Sequence, residues 1–266
     1  MEAMRFPSPS GGLRALVCLA FRLLPTRHRF RAAVVFSHLM RPLITRTAAF
    51  EARLELQTDR IEETSLDLIL TELTRRGVTF DPLIEIDGVE HDPRPGDGPC
   101  LIAGAHMMLN TLYARHLFDR GVPFGGITAE PDMCYRGTRV ISDVILVPSR
   151  DLLLNVRRRL LQGGVVCGLL DRDIAERRTT EFETVNGKLI VSQALLQVAL
   201  RVGARIVFFG SRMRDDHTVV ISLRRAEAST LDGVTAELVC FVDQVMSGAT
   251  PRTSHPANAA AKRPRT

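Results

Sequence analysis

From residue 100 onward, short apolar runs alternate with stretches whose apolar positions recur at a helical period. The runs near 100–105, 124–129, 144–147, 164–170 and 204–210 predict strands, and the stretches near 107–120, 150–162 and 189–202 predict helices. Strands that alternate with helices of this length need crossover connections, so the pattern predicts an α/β fold whose central sheet is largely parallel and covered by helices.

Before this region the pattern differs. Residues 13–46, "LRALVCLAFRLLPTRHRFRAAVVFSHLMRPLITR", place apolar clusters between arginines and predict two short amphipathic helices broken at Pro25. Arg and His on one side with Leu, Val and Phe on the other is the arrangement of a helix lying in a membrane interface, although helices packed on the protein's own core share it. No apolar run reaches the roughly 20 residues that span a bilayer, and Arg22 interrupts the one stretch that resembles a signal peptide. Residues 47–76 continue a helical period that stops at Gly77, a suitable C-terminal cap. The Pro/Gly/Asp loop "EHDPRPGDGP" at 90–99 separates them from the alternating region. The expected organisation is interfacial helices over 1–46, an α/β domain over 47–246 and a disordered basic tail over 247–266.

Composition narrows the chemistry. With 45% apolar and 24% charged residues the chain can build an ordinary globular core. Its five cysteines are odd in number, far apart and without a C-x-x-C pair, which indicates neither a disulfide framework nor a zinc site. The charge of +5, carried almost wholly by arginine, suits phosphate-bearing partners. Nucleic acid is disfavoured, because stacking aromatics are few and recognised motifs are missing. The G-x-S-x-G elbow, the phosphate loop, a dinucleotide fingerprint after a strand and any close pair of histidines are also missing, so no metal and no bound cofactor are expected.

His106 closes the first run of the alternating region, "CLIAGAH". If that run is a strand, His106 falls at its carboxyl end, where open parallel sheets bind ligands. A helix beginning beside it disfavours a proton on the imidazole and leaves a neutral ring able to act as a general base. A packed side chain at a strand-to-helix turn is the alternative.

Three blocks extend this reading: "RLLPTRHRF" (22–30), "GPCLIAGAHMMLNTLYARHLFDRGVPFGGITAEP" (98–131) and "SRDLLLNVRRRLLQGGVVCGLLDRDIAERRTTEFETVNGKLIVSQALLQVALRVGARIVFF" (149–209). In the last, an apolar strand ends in Asp171-Arg172-Asp173, followed by a polar loop, a helix of small and apolar residues, the turn Gly203-Ala204 and another strand. In order and spacing these blocks, over about residues 20 to 245, resemble the lipid A late acyltransferases of the lysophospholipid acyltransferase superfamily. The resemblance implies a glycerolipid acyltransferase-like fold. It also implies transfer of a fatty acyl chain from an acyl carrier protein or coenzyme A thioester to a hydroxyl of a lipid or glycolipid, at the cytoplasmic face of a bacterial inner membrane.

The family signature is a histidine followed five positions later by an acid. Here the histidine is His106, but the acidic position holds Thr111. Asn110, one turn beyond His106, offers an amide oxygen that could orient the ring instead. Otherwise the chain keeps only a lipid- or carrier-binding pocket. The catalytic candidates are therefore His106, Asn110 and Thr111; the substrate-binding candidates are Arg136, Arg139, Asp171, Arg172 and Asp173. Asp171 and Asp173 could supply the missing negative charge or pair with the arginines of their loop, and Glu130 is a further candidate partner for the imidazole. Arg136 and Arg139 could meet an anionic acceptor or the donor's phosphopantetheine, or be solvated. Arg157, Arg158 and Arg159 point about 100° apart on a helix and read as a solvated face. His116 reads as a surface residue, and Cys134 has no flanking base that would make it a nucleophile.

Overall fold

The computed structural model describes residues 11–46, 61–105, 107, 109–127, 144–146, 150–171, 179–184 and 187–248. A seven-stranded sheet lies between two helical layers. Its strands are β1 (Ile84–Asp87), β2 (Cys100–Gly104), β3 (Phe124–Ile127), β4 (Val144–Leu146), β5 (Val165–Leu169), β8 (Arg205–Met213) and β9 (Val219–Arg225). Their order is β1-β9-β8-β2-β5-β3-β4. The five strands from β8 to β4 are mutually parallel, as the alternating pattern predicts. At the other edge β9 runs antiparallel to β8, and β1 pairs parallel to β9.

Alternation along β2 explains the layers. Cys100 and Ile102 face one side and Leu101 and Ala103 the other, and all are buried, because a central parallel strand is covered on both faces. The first face carries α1 (Gly11–Leu23), α2 (Thr26–Ile44), α3 (Ile61–Arg75) and α4 (Asn110–Asp119). The second carries α5 (Leu152–Leu161), α6 (Ala194–Arg201) and α7 (Leu231–Met246). Helix α7 starts at Thr230, whose hydroxyl accepts a hydrogen bond from the Gly233 N–H. Its apolar stripe Val234, Leu238, Phe241, Val242 and Val245 is buried.

Two expectations need correction. The helix predicted over 189–202 begins only at Ala194; residues 187–192 form strand β7 (Gly187–Ser192), paired antiparallel with β6 (Thr179–Thr184) in a separate hairpin. The physical reason is a period of two: Leu189 and Val191 point into the core while Ile190 is exposed, and the branched residues favour the pleat. The helix predicted from 107 begins at Asn110, because Leu109 sits in the left-handed region and stops the helical path there. Of the long helix predicted over 47–76, residues 47–60 lie outside the described residues, as does nearly all of the tail expected over 247–266.

Candidate active site

Strand β2 ends at Gly104, and the chain must turn within a few residues to begin α4. Ala105 and Met107 are buried at this turn, and Leu109 adopts φ 65° and ψ 13°. A leucine in that conformation costs about 1–2 kcal/mol, so the surroundings must hold it. Asn110 supplies part of the hold: its Nδ2 donates to the Ala105 carbonyl at 2.5 Å, and its Oδ1 accepts from the Ser211 hydroxyl at 2.8 Å. One carboxamide thus ties the end of β2 to the first residue of α4 and to the neighbouring strand β8.

Two glycines make the close approach possible. A Cβ on Gly104 would lie 2.6 Å from the Phe209 carbonyl oxygen, and one on Gly210 would lie 2.8 Å from the Met107 sulfur. Gly104 pairs with Phe209, so Ser211 stands two residues further along β8, beside the turn. On the other flank the Leu170 N–H donates to the Gly104 carbonyl at 2.7 Å, which extends the β2–β5 ladder by one step and brings half-buried Asp171 to the same edge. The carboxyl ends of β2, β5 and β8 therefore converge where α4 begins. Leu109, at the N-cap of α4, makes no side-chain capping hydrogen bond, and the positive end of the helix dipole faces this edge.

Of the predicted site residues, Asn110 and Asp171 are described, and both lie at this edge, Asn110 toward β8 and Asp171 after β5. Thr111 lies in the first turn of α4, with its side chain outside the description. His106, Glu130, Cys134, Arg136, Arg139, Arg172 and Asp173 lie outside the described residues. Ser211 was not singled out by sequence reasoning. Its signal is a hydroxyl just past the apolar run "RIVFFG", at the end of a strand predicted to reach the ligand edge. Arg157 and Arg158 are exposed and Arg159 is half-buried, packed close to Gly164.

His116 corrects an expectation, because it is not a free surface residue. Its Nε2 lies 2.9 Å from Oδ2 of buried Asp92, and Tyr113 donates to the same carboxylate at 3.0 Å. Arg120 completes the set with an ion pair at 2.5 Å. Positions 113, 116 and 120 share one helix face, which aims all three at the loop before β2. Burial raises the Asp92 pKa, but the hydrogen bonds from His116 and Tyr113 and the charge of Arg120 outweigh it and hold the carboxyl below its ordinary range. Tyr113, buried beside that carboxylate, is pushed well above its ordinary value. This cluster runs along α4 from Tyr113, three residues past Asn110, to Arg120, about 15 Å along the axis from Asn110 at 1.5 Å per residue. It fastens the loop before β2 to the helix, and the Tyr113 ring also packs on Phe209 of β8.

The buried thiols are inert for the same kind of reason. Burial pushes Cys100 up to about 11 and Cys167 up to about 12, so neither supplies a thiolate nucleophile near neutral pH. Among the described residues no cluster of His, Cys, Asp and Glu could hold a metal ion.

No protein-family model matches the chain, and no curated protein matches it significantly. Among solved structures, it is similar to the 1-acyl-sn-glycerophosphate acyltransferase PlsC from Thermotoga maritima, at 12% identity and a TM-score of 0.41. That match covers 85% of this chain and 98% of the other.

Proposed function

We propose that this protein is an O-acyltransferase that moves a fatty acyl chain from an acyl carrier protein or coenzyme A thioester to a hydroxyl of a lipid or glycolipid at a membrane surface. The observation that carries the reading is the turn between β2 and α4: Ala105, which the position that the resemblance assigns to the catalytic histidine follows in sequence, leaves β2 at the edge where three parallel strands end and α4 begins.

In this reading the neutral imidazole of His106 takes the proton of the acceptor hydroxyl as its oxygen attacks the thioester carbonyl. The tetrahedral oxyanion is stabilised by the N-terminal end of α4 and its backbone N–H groups. Collapse breaks the carbon–sulfur bond, and the imidazolium returns its proton to the departing thiolate. Asn110 fixes the turn, and its oxygen, which has a second lone pair beyond the one used by Ser211, can accept from the ring. Asp171 and Asp173 supply negative charge to the imidazolium, and Arg136 and Arg139 meet the anionic part of donor or acceptor. The reading places the enzyme at the cytoplasmic face of a bacterial inner membrane, with the exposed leucines of α1 and α2 in the interface. No helix among the described residues is long and apolar enough to cross a membrane.

Thr111 at the acidic position favours a second reading, a lipid- or acyl-carrier-binding protein on the same scaffold that has lost turnover. One assay separates the two. Purified protein with acyl thioesters and a membrane lipid extract should release thiol, and His106→Ala should lower the rate by about 10²–10⁴-fold. Thiol release equal in wild type and His106→Ala overturns the enzyme reading. Retained thioester binding in both then supports the binding protein.

A further inference from the structure

Helices α1 and α2, joined through Leu24 and Pro25, each bury one face and leave another uncovered. Cys18, Phe21, Phe30, Ala33 and Val34 point inward, whereas Leu16, Leu19, Leu23, Val35, Leu39 and Leu43 are exposed. Between the helices runs an open groove of about 430 Å³, walled by Ala20 and Leu24 on one side and Val35 and Leu39 on the other. Phe21 and Phe36, in edge-to-face contact with ring centroids 5.9 Å apart, form its floor. Its one charged lining residue is Arg31.

Charge along this hairpin has a single sign: residues 11–46 hold seven arginines, two histidines and no Asp or Glu. Arg22 and Arg29 are among those used internally. Arg29 donates to the Leu24, Arg22 and Thr79 carbonyls, and Arg22 to the Arg76 carbonyl. Arg27 and Arg31 remain exposed in the first turns of α2, where the positive end of the helix dipole adds to them. The groove is thus cationic at the turn and apolar from Val35 to Leu39, the polarity of a hydrocarbon chain with an anionic head.

We propose that this groove binds one acyl chain of an anionic lipid, with the lipid phosphate at Arg31 and the chain running toward Leu39. The proposal needs neither His106 nor a thioester, so it stands or falls apart from the acyl-transfer reading.

The full-length protein, titrated with lysophosphatidylglycerol below its micelle threshold, should saturate at one ligand per chain. Lysophosphatidylcholine, whose quaternary ammonium offsets the phosphate charge beside Arg31, should bind more weakly, by at most about fivefold. Glycerol 3-phosphate, which lacks the chain, should not bind. Ala20→Trp, an exposed substitution that fills the groove, should abolish lysolipid binding while circular dichroism stays that of the wild type. Arg31→Gln should bring the two lysolipids to equal affinity. Unchanged binding in Ala20→Trp overturns the proposal, as does glycerol 3-phosphate competing for the site. So does wild-type protein that sediments with phosphatidylglycerol vesicles yet takes up no lysolipid, since the face is then only an interfacial surface. A dimer that Ala20→Trp dissociates also overturns it, because a second copy then covers the groove.

Discussion

The Ser211 hydroxyl donates to Oδ1 of Asn110 across 101 residues of chain, while the amide nitrogen of Asn110 reaches back to the Ala105 carbonyl. The pair joins strand β8 to the first residue of α4 over the turn on which the proposed chemistry depends. Ser211→Ala leaves the Asn110 oxygen without that donor and should cost about 1–3 kcal/mol in urea unfolding. Asn110→Asp is the sharper probe. It keeps an acceptor for Ser211 but loses the donor to Ala105 and sets a carboxylate against a carbonyl. It should destabilise more than Ser211→Ala and lower kcat more than it raises KM. A stable, fully active Asn110→Asp would show that the amide acts only through its oxygen.

Thr111 is where this chain departs from the family signature, and that departure can be reversed. If the imidazole works with an incomplete partner, Thr111→Asp should raise thiol release, since loss of a partner carboxylate costs up to about 10⁴-fold in other histidine-centred sites. The gain should vanish in the double variant with His106→Ala. No gain in Thr111→Asp, with the His106→Ala loss intact, would assign the orienting role to Asn110 or Asp171.

Gly104 cannot carry a side chain without moving its neighbour. A methyl there would meet both the carbonyl and the ring of Phe209, whose ring packs on Tyr113 with centroids 5.2 Å apart. Gly104→Ala should therefore cost about 1–3 kcal/mol by overpacking and shift α4 relative to the sheet. Gly98→Ala is the control. No atom lies within 4 Å of its added methyl, so any loss there reflects only the positive φ of 86°.

The parallel half of the sheet was legible because its strands are apolar throughout: "CLIAG" and "VVCGL" read as runs, and runs covered by helices on both faces leave few alternatives. Strand β7 was not, because "KLIVS" adjoins the apolar helix "ALLQVALR" and the two merge into one apolar stretch. Among the described residues strand β1 pairs only with the late strand β9, so four residues, "IEID", gave no local signal. At the candidate site, the carboxyl edge of the parallel strands followed from the strand ends alone, and Asn110 and Asp171 lie at it. The part of Ser211 was hidden because it arises from register with a strand over 100 residues earlier. His116 was misjudged for a related reason: its partner Asp92 lies in a loop whose burial no periodicity reveals.

Asp92 gives the fold a definable acid limit. Its carboxyl is depressed in the folded protein by His116, Tyr113 and Arg120 against the opposing effect of burial. A group depressed on folding contributes stability that is complete above its unfolded pKa, about 3.9, and is lost as pH falls through the lower folded value. Unfolding free energy should therefore decline below about pH 4 with a slope that Asp92→Asn removes. The variant should also lose about 1–3 kcal/mol at neutral pH, because buried Tyr113 and half-buried His116 lose their anionic acceptor while the more exposed Arg120 keeps contact with solvent. Urea midpoints across pH 3 to 7 for the two proteins check both effects. Parallel curves, offset but with the same acid slope, would show that Asp92 is not depressed on folding. Thiol release should be less affected than stability, since Arg120 is about 15 Å along α4 from Asn110.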